Sequence, residues 1–98
     1  MTKYKSKRTV VNGINFHSKK EADYYVNLLW RQKAGDIAYF IRQPSFDLPG
    51  GVKYLADFLV FNKDGSHQYI DVKGYDTPLS KLKRKQTEAL YPVQIELA

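Results

Sequence analysis

Ninety-eight residues leave room for a single hydrophobic core, and the absence of cysteine excludes a disulfide framework, a thiolate zinc site and thiol catalysis. Sixteen basic against ten acidic residues give a net charge of +6, and 43% apolar with 27% charged residues is the composition of a folded chain rather than a disordered one. No apolar run reaches the roughly 18 residues of a membrane span, and the start is basic with no apolar stretch behind it, so the expectation is one domain over 1–98, without leader or anchor, in the cytoplasm.

In chain order, residues 1–8 form a basic arm, expected to be mobile, with Lys3, Lys5, Lys7 and Arg8 as sequence-independent phosphate contacts. Thr9-Val10-Val11 and Ile14-Asn15-Phe16 flank Asn12-Gly13, a pair suited to a type I′ hairpin because both residues tolerate positive φ. Ser18 with Glu21 three positions on has the spacing of a capping box, and Ala22, Tyr25, Val26, Leu29 and Trp30 supply an apolar stripe for a helix that Gly35 ends. Short strands are read at Tyr39–Arg42 and Phe46–Leu48, around Gln43-Pro44 and before the Pro49-Gly50-Gly51 turn. From Lys53 to Phe61 the residues are apolar at both alternations, as in a strand covered on both faces, with Asp57 the one acidic interruption. After Asn62-Lys63-Asp64-Gly65, residues 67–73 alternate as a second strand. Thr77-Pro78 opens a helix reaching Leu90 or Tyr91, with Leu79, Leu82, Ala89 and Leu90 expected to face the sheet, and Val93, Ile95 and Leu97 close the chain as a strand. The result is an α/β (α+β) fold with a mixed sheet flanked by helices and a small N-terminal hairpin.

The chemistry turns on Asp57. An ionised carboxylate in an apolar strand is costly unless a cation or donors receive it. Asp71 and Lys73, two apart, share a face of the following strand. A three-residue loop of Lys63-Asp64-Gly65 sets Asp57 directly opposite Asp71; a two-residue loop of Asp64-Gly65 turns Asp57 to the other face, and the reading rests on the first. Two carboxylates that close repel by about 4 kcal/mol at 4 Å and an effective dielectric of 20, which calls for a positive partner. Magnesium, with manganese as a substitute, suits such oxygen ligands.

Tyr54-Leu55-Ala56-Asp57 followed by Ile70-Asp71-Val72-Lys73-Gly74, with Glu21 on a preceding helix, resembles the PD-(D/E)XK nuclease superfamily, whose core runs helix, three strands, helix, strand (αβββαβ, restriction-endonuclease-like). The stretch Val11 to Ala22, with Gln43-Pro44 and Ala89-Leu90-Tyr91-Pro92, is similar to a family of small phage and prophage proteins placed in that superfamily. The resemblance implies that Asp57, Asp71 and Glu21 bind the metal and that Lys73 is the catalytic lysine. Ala56 stands where the superfamily has proline, and Asp71 fills a position more often held by glutamate.

The resemblance further implies a magnesium-dependent DNA endonuclease without a small-molecule cofactor, acting as a homodimer where two strands are cut, with branched DNA as a candidate substrate and a bacterial host cell as its setting. The DNA surface expected around the site comprises Lys19, Lys20, Gln43, Tyr75, Lys81, Lys83, Arg84 and Lys85, with the basic arm. Simpler readings stand beside these: Glu21 as a capping residue, Asp71 with Lys73 as an exposed ion pair, Asp57 as a hydrogen-bonded core group, and the whole as a DNA- or protein-binding module on the same fold. His17 and His67 lack metal-motif spacing and read as structural or surface groups.

Overall fold

A computed structural model of the chain describes residues 8–98. Lys3, Lys5 and Lys7 of the basic arm therefore lie outside the described residues, and Arg8 is exposed at their edge. Strands β1 (Thr9–Val11) and β2 (Ile14–Phe16) pair in register Thr9↔Phe16, with Asn12 at φ 52° and Gly13 at φ 76°. Two consecutive positive φ values match the right-handed strand twist, which is why Asn-Gly serves here. The hairpin delivers Phe16 into the core, its ring 5.0 Å from that of Tyr25.

Helix α1 (Lys19–Ala34) begins as expected: Ser18 Oγ accepts the Glu21 N–H at 3.1 Å. It ends at Gly35, φ 84°, with the Asp36 N–H returning to the Arg31 carbonyl at 2.9 Å. The expected stripe is rotated. Ala22, Tyr25 and Leu28 are buried, whereas Trp30 is 65% exposed. At about 100° per residue Trp30 lies some 160° around the helix from Leu28, so the two cannot share a face.

Residues 37–62 form one long bent hairpin. Strands β3 (Ile37–Arg42) and β6 (Phe58–Asn62) make its base, β4 (Ser45–Leu48) and β5 (Val52–Leu55) its tip. A single register runs from Phe40↔Val60 through Leu48↔Val52. The strand expected from Lys53 to Phe61 is thus two, broken at Ala56-Asp57. Opposite the break stand Gln43, at φ 54°, and Pro44, which has no N–H to donate; Gln43 N donates to the Asp57 carbonyl and Ala56 N to that of Pro44.

Strand β7 (His67–Asp71) joins β6 through the three-residue loop. Asn62 pairs with Ser66 (N–H to carbonyl, 2.8 Å), Gly65 takes φ 91°, and the register is Phe58↔Ile70 to Phe61↔His67. Helix α2 (Pro78–Leu90) then returns the chain so that β8 (Ile95–Leu97) lies parallel to β7. The four-stranded sheet has the order β3-β6-β7-β8 and is mixed; five strands lie between the helices, and the expected order helix, three strands, helix, strand holds for the strands of this sheet, with β4 and β5 inserted as a separate pair.

Two apolar clusters cover the sheet. One packs Phe16, Ala22, Tyr25 and Leu28 on Phe58, Val60, Ile70 and Val72; the other gathers Phe46, Leu48, Tyr54, Ala56 and Ile95. Because the bent hairpin occupies the second face, α2 packs mainly on β4 and β5 and reaches the sheet at its edge, where Ile95 N donates to Glu88 Oε2 at 2.8 Å. The leucines expected to face the sheet consequently point outward: Leu79 is 61%, Leu82 53% and Leu90 55% exposed, Ala89 is exposed, and Thr87 is the buried residue of the helix.

Candidate functional site

The break at Ala56-Asp57 creates the site. At the bend the Asp57 backbone keeps its bonds to both neighbouring strands, and the two carboxylates take further backbone donors. Asp57 N donates to the Ile70 carbonyl at 3.0 Å and also to Asp71 Oδ1 at 3.1 Å, while Val72 N donates to Asp57 Oδ2 at 2.7 Å. Each carboxylate therefore receives a backbone N–H from the strand carrying the other, as the three-residue loop requires. Asp71 is 1% exposed; its Oδ2 accepts from the Tyr54 hydroxyl and lies 3.4 Å from Lys73 Nζ. Burial, and then the hydrogen bond to Asp71, push the Tyr54 phenol well up, keeping it a donor.

Glu21 reaches the same region from the first turn of α1, where the Ser18 cap anchors the helix start. A cleft of about 370 Å³ is lined by Glu21, Asp57 and Lys73, with His17, Tyr75 and Thr77 among its other walls, and Asp71 sits beneath it. Burial raises the Glu21 carboxyl above its ordinary value; the charges of His17 and Arg42 oppose this and that of Asp71 adds to it. Asp57 is pushed up to about 7, chiefly by burial and further by Glu21 and Asp71, against the Val72 N–H and Lys73. The cleft thus concentrates negative charge that its own cation offsets in part.

Among the described residues, no group of three or more His, Cys, Asp or Glu side chains is arranged to hold a metal ion as it stands. Magnesium asks for less: one or two carboxylates, with water and substrate phosphate completing its shell. An all-oxygen pair opening on the cleft, Asp57 and Glu21, both raised by burial among acids, has the donor chemistry that a hard divalent cation takes.

The expected nucleic-acid surface divides. Lys81 and Lys85 are exposed on α2, Lys83 is half-buried, and Tyr75 is exposed at the cleft rim. Lys19 pairs with Asp23 at 2.9 Å, and Lys20 Nζ donates to the Lys73 carbonyl at 2.6 Å, tying α1 to the segment that carries the catalytic candidate. Arg84, read from the sequence as a phosphate contact, has both terminal nitrogens on Asp76, at 3.0 and 2.7 Å, because the roll of α2 turns it toward the protein. Gln43 is exposed, its backbone rather than its side chain meeting Asp57. His67 lies at the far end of β7, edge-on to Tyr69.

Two residues at the site were passed over in the sequence. His17 lines the cleft and acts on Glu21; its place just before the cap of a helix whose third residue is acidic was the available signal. Arg42 lies over the Phe16 ring at 4.9 Å, with its Nε buried and unpartnered, and its charge acts on Glu21; a strand-end position before Gln43-Pro44 gave no hint of this.

The chain belongs to the family described as protein of unknown function (DUF1064), whose model matches residues 1–97. No curated protein matches it. No helix among the described residues is long and apolar enough to cross a membrane.

Proposed function

We propose that the protein is a metal-dependent phosphodiesterase acting on DNA, with the cleft between α1 and the Asp57 bend as its active site. The observation that carries this reading is the meeting of Glu21, Asp57 and Lys73, from three separate elements, on one solvent-open hollow above the buried Asp71. The resemblance of Tyr54 to Asp57 and Ile70 to Gly74 to the PD-(D/E)XK nucleases points the same way.

In this reading Asp57 and Glu21 would hold a magnesium ion, with the buried Asp71 hydrogen-bonded to the Asp57 amide. A divalent cation bound there supplies neutralisation of phosphoryl charge and activation of water. Lys73, held by Asp71 at 3.4 Å, would bind a non-bridging phosphate oxygen and position the attacking water. Asp71 acts through Lys73 and through the Asp57 amide, so it orients both partners. His17 lines the same cleft and faces Glu21 as a hydrogen-bonding and charged neighbour. One chain carries one such site, so cutting both strands of a junction requires a homodimer, and the bacterial cytoplasm is the compartment proposed for it.

The test incubates the purified protein with supercoiled, linear, single-stranded and branched DNA in magnesium, manganese or chelator. Cleavage is expected only with metal, and Asp71→Asn and Lys73→Ala each reduce it by about 10²–10³-fold while circular dichroism is unchanged and DNA is still retarded, more weakly for Lys73→Ala. DNA that is retarded but uncut under every metal condition overturns the hydrolase and leaves a binding module.

A further inference from the structure

Lys73 borders two hollows. One is the acidic cleft. The other is a groove of about 300 Å³ whose walls include Lys53, Leu55, Lys73, Thr77, Leu79 and Lys83, so that Lys73 and Thr77 are common to both. Its three lysines come from β5, from the turn after β7 and from α2, and among the described residues its lining holds no carboxylate. Lys53 pairs with Asp47 at 3.1 Å, but both side chains are largely exposed, and such a pair yields readily to a phosphate. Lys53 was not among the cations that the sequence pointed to.

The same groove carries two leucines that the fold leaves in water, Leu55 at 52% and Leu79 at 61% exposure. Lysines from three elements around exposed apolar walls form a mixed surface. A duplex offers such a surface only phosphate and sugar, and with a major groove alone about 12 Å wide it cannot enter so small a hollow. An unpaired strand offers phosphates together with the apolar faces of its bases, the combination that single-strand grooves recognise.

We propose that this groove holds the nucleotide adjoining the reacting phosphate on an unpaired strand, with its phosphate among Lys53, Lys73 and Lys83 and its base or sugar against Leu55 and Leu79. The inference rests on the reading of the neighbouring cleft as the reacting site and deepens it by naming the kind of strand that enters. Flapped or forked DNA qualifies through the single strand it exposes.

The experiment is a binding titration in chelator, where no cleavage intervenes, using a fluorescein-labelled oligothymidylate and a hairpin duplex of equal length over a range of salt concentrations. The wild type is expected to favour the single strand. Lys53→Ala and Lys83→Ala each weaken single-strand binding several-fold and lower the salt slope by about 0.7. Lys63→Ala, at the opposite end of β6, changes neither. Leu55→Ala combined with Leu79→Ala reduces the preference for the single strand without changing the slope. Groove-lysine variants that bind like Lys63→Ala, or a wild type that prefers the duplex, overturn the proposal and leave the hydrolase reading untouched. Loss of binding in the groove variants, alongside DNA uncut with every metal, retains the groove and removes the hydrolase.

Discussion

The two helices meet the same sheet-and-hairpin body on opposite terms. Helix α1 buries Glu21, Ala22, Tyr25 and Leu28 and shares the larger apolar cluster with β2, β6 and β7. Helix α2 buries Thr87, leaves Leu79, Leu82 and Leu90 in water, and is fastened by the Arg84–Asp76 ion pair and contacts with β4 and β5. Both carry a capped start, Ser18 on one and Thr77 on the other, so local helix chemistry does not separate them. What separates them is the surface available to each: a bare sheet face for α1, and for α2 a face already filled by the bent hairpin. The first helix is a wall of the core that also aims an acid into the cleft. The second is a platform for cations.

The contrast can be broken by mutation. Leu28→Ala removes a fully buried side chain from α1 and is expected to cost about 2–5 kcal/mol, read as a lower urea midpoint at unchanged slope. A cost under 1 kcal/mol would make α1 as loosely held as α2.

Next in size is the acidic cleft. The folded-state value of Asp57, about 7, lies above its ordinary 3.8, so the folded protein prefers the protonated form. The stability this confers is full below about pH 4 and is lost as pH rises through about 7. Asp57→Asn, which keeps an oxygen for the Val72 N–H, should therefore flatten the decline and stabilise the protein at pH 8 by about 1–2 kcal/mol, the full shift being discounted for partial exposure. Magnesium at pH 8 should raise the melting temperature of the wild type and much less that of Asp57→Asn. Equal shifts in both would remove the cation from the site.

Smaller effects sharpen the comparison. Ser18→Ala loses the cap that anchors the start of α1 and is expected to cost about 1 kcal/mol. If the proposed activity is present, it should also weaken metal-dependent cleavage, because Glu21 sits in the turn that the cap holds. Leu82→Ala on the outer face of α2 should change stability by no more than about 0.5 kcal/mol in thermal or urea melts. A larger loss would mean that the leucine is covered in solution.

Much of the site was legible because it depends on local rules. The Asn12-Gly13 turn, the Ser18 cap, the Gly35 stop and the three-residue loop ending in Gly65 each follow from the conformations those residues adopt at little cost. The loop mattered most: since side chains alternate with a period of two, its length alone decided whether Asp57 and Asp71 would meet. The helix faces were less legible. Val26, Leu29 and Trp30 fit an apolar stripe as well as Leu28 does, and only the position of the sheet selects among them.

The sequence by itself determined the elements, the turns, the β6–β7 register and the acids and lysine that the register brings together, because each is set by interactions within a few residues or by one loop. Tertiary structure alone decided three things: that the apolar run from Lys53 would break at Asp57, that the bent hairpin would occupy the face meant for α2, and that Arg84 would be turned inward while Lys53 and Lys83 flank a groove. These depend on which of several apolar surfaces wins a shared space. That competition is settled by total buried area across distant parts of the chain, which no local pattern encodes.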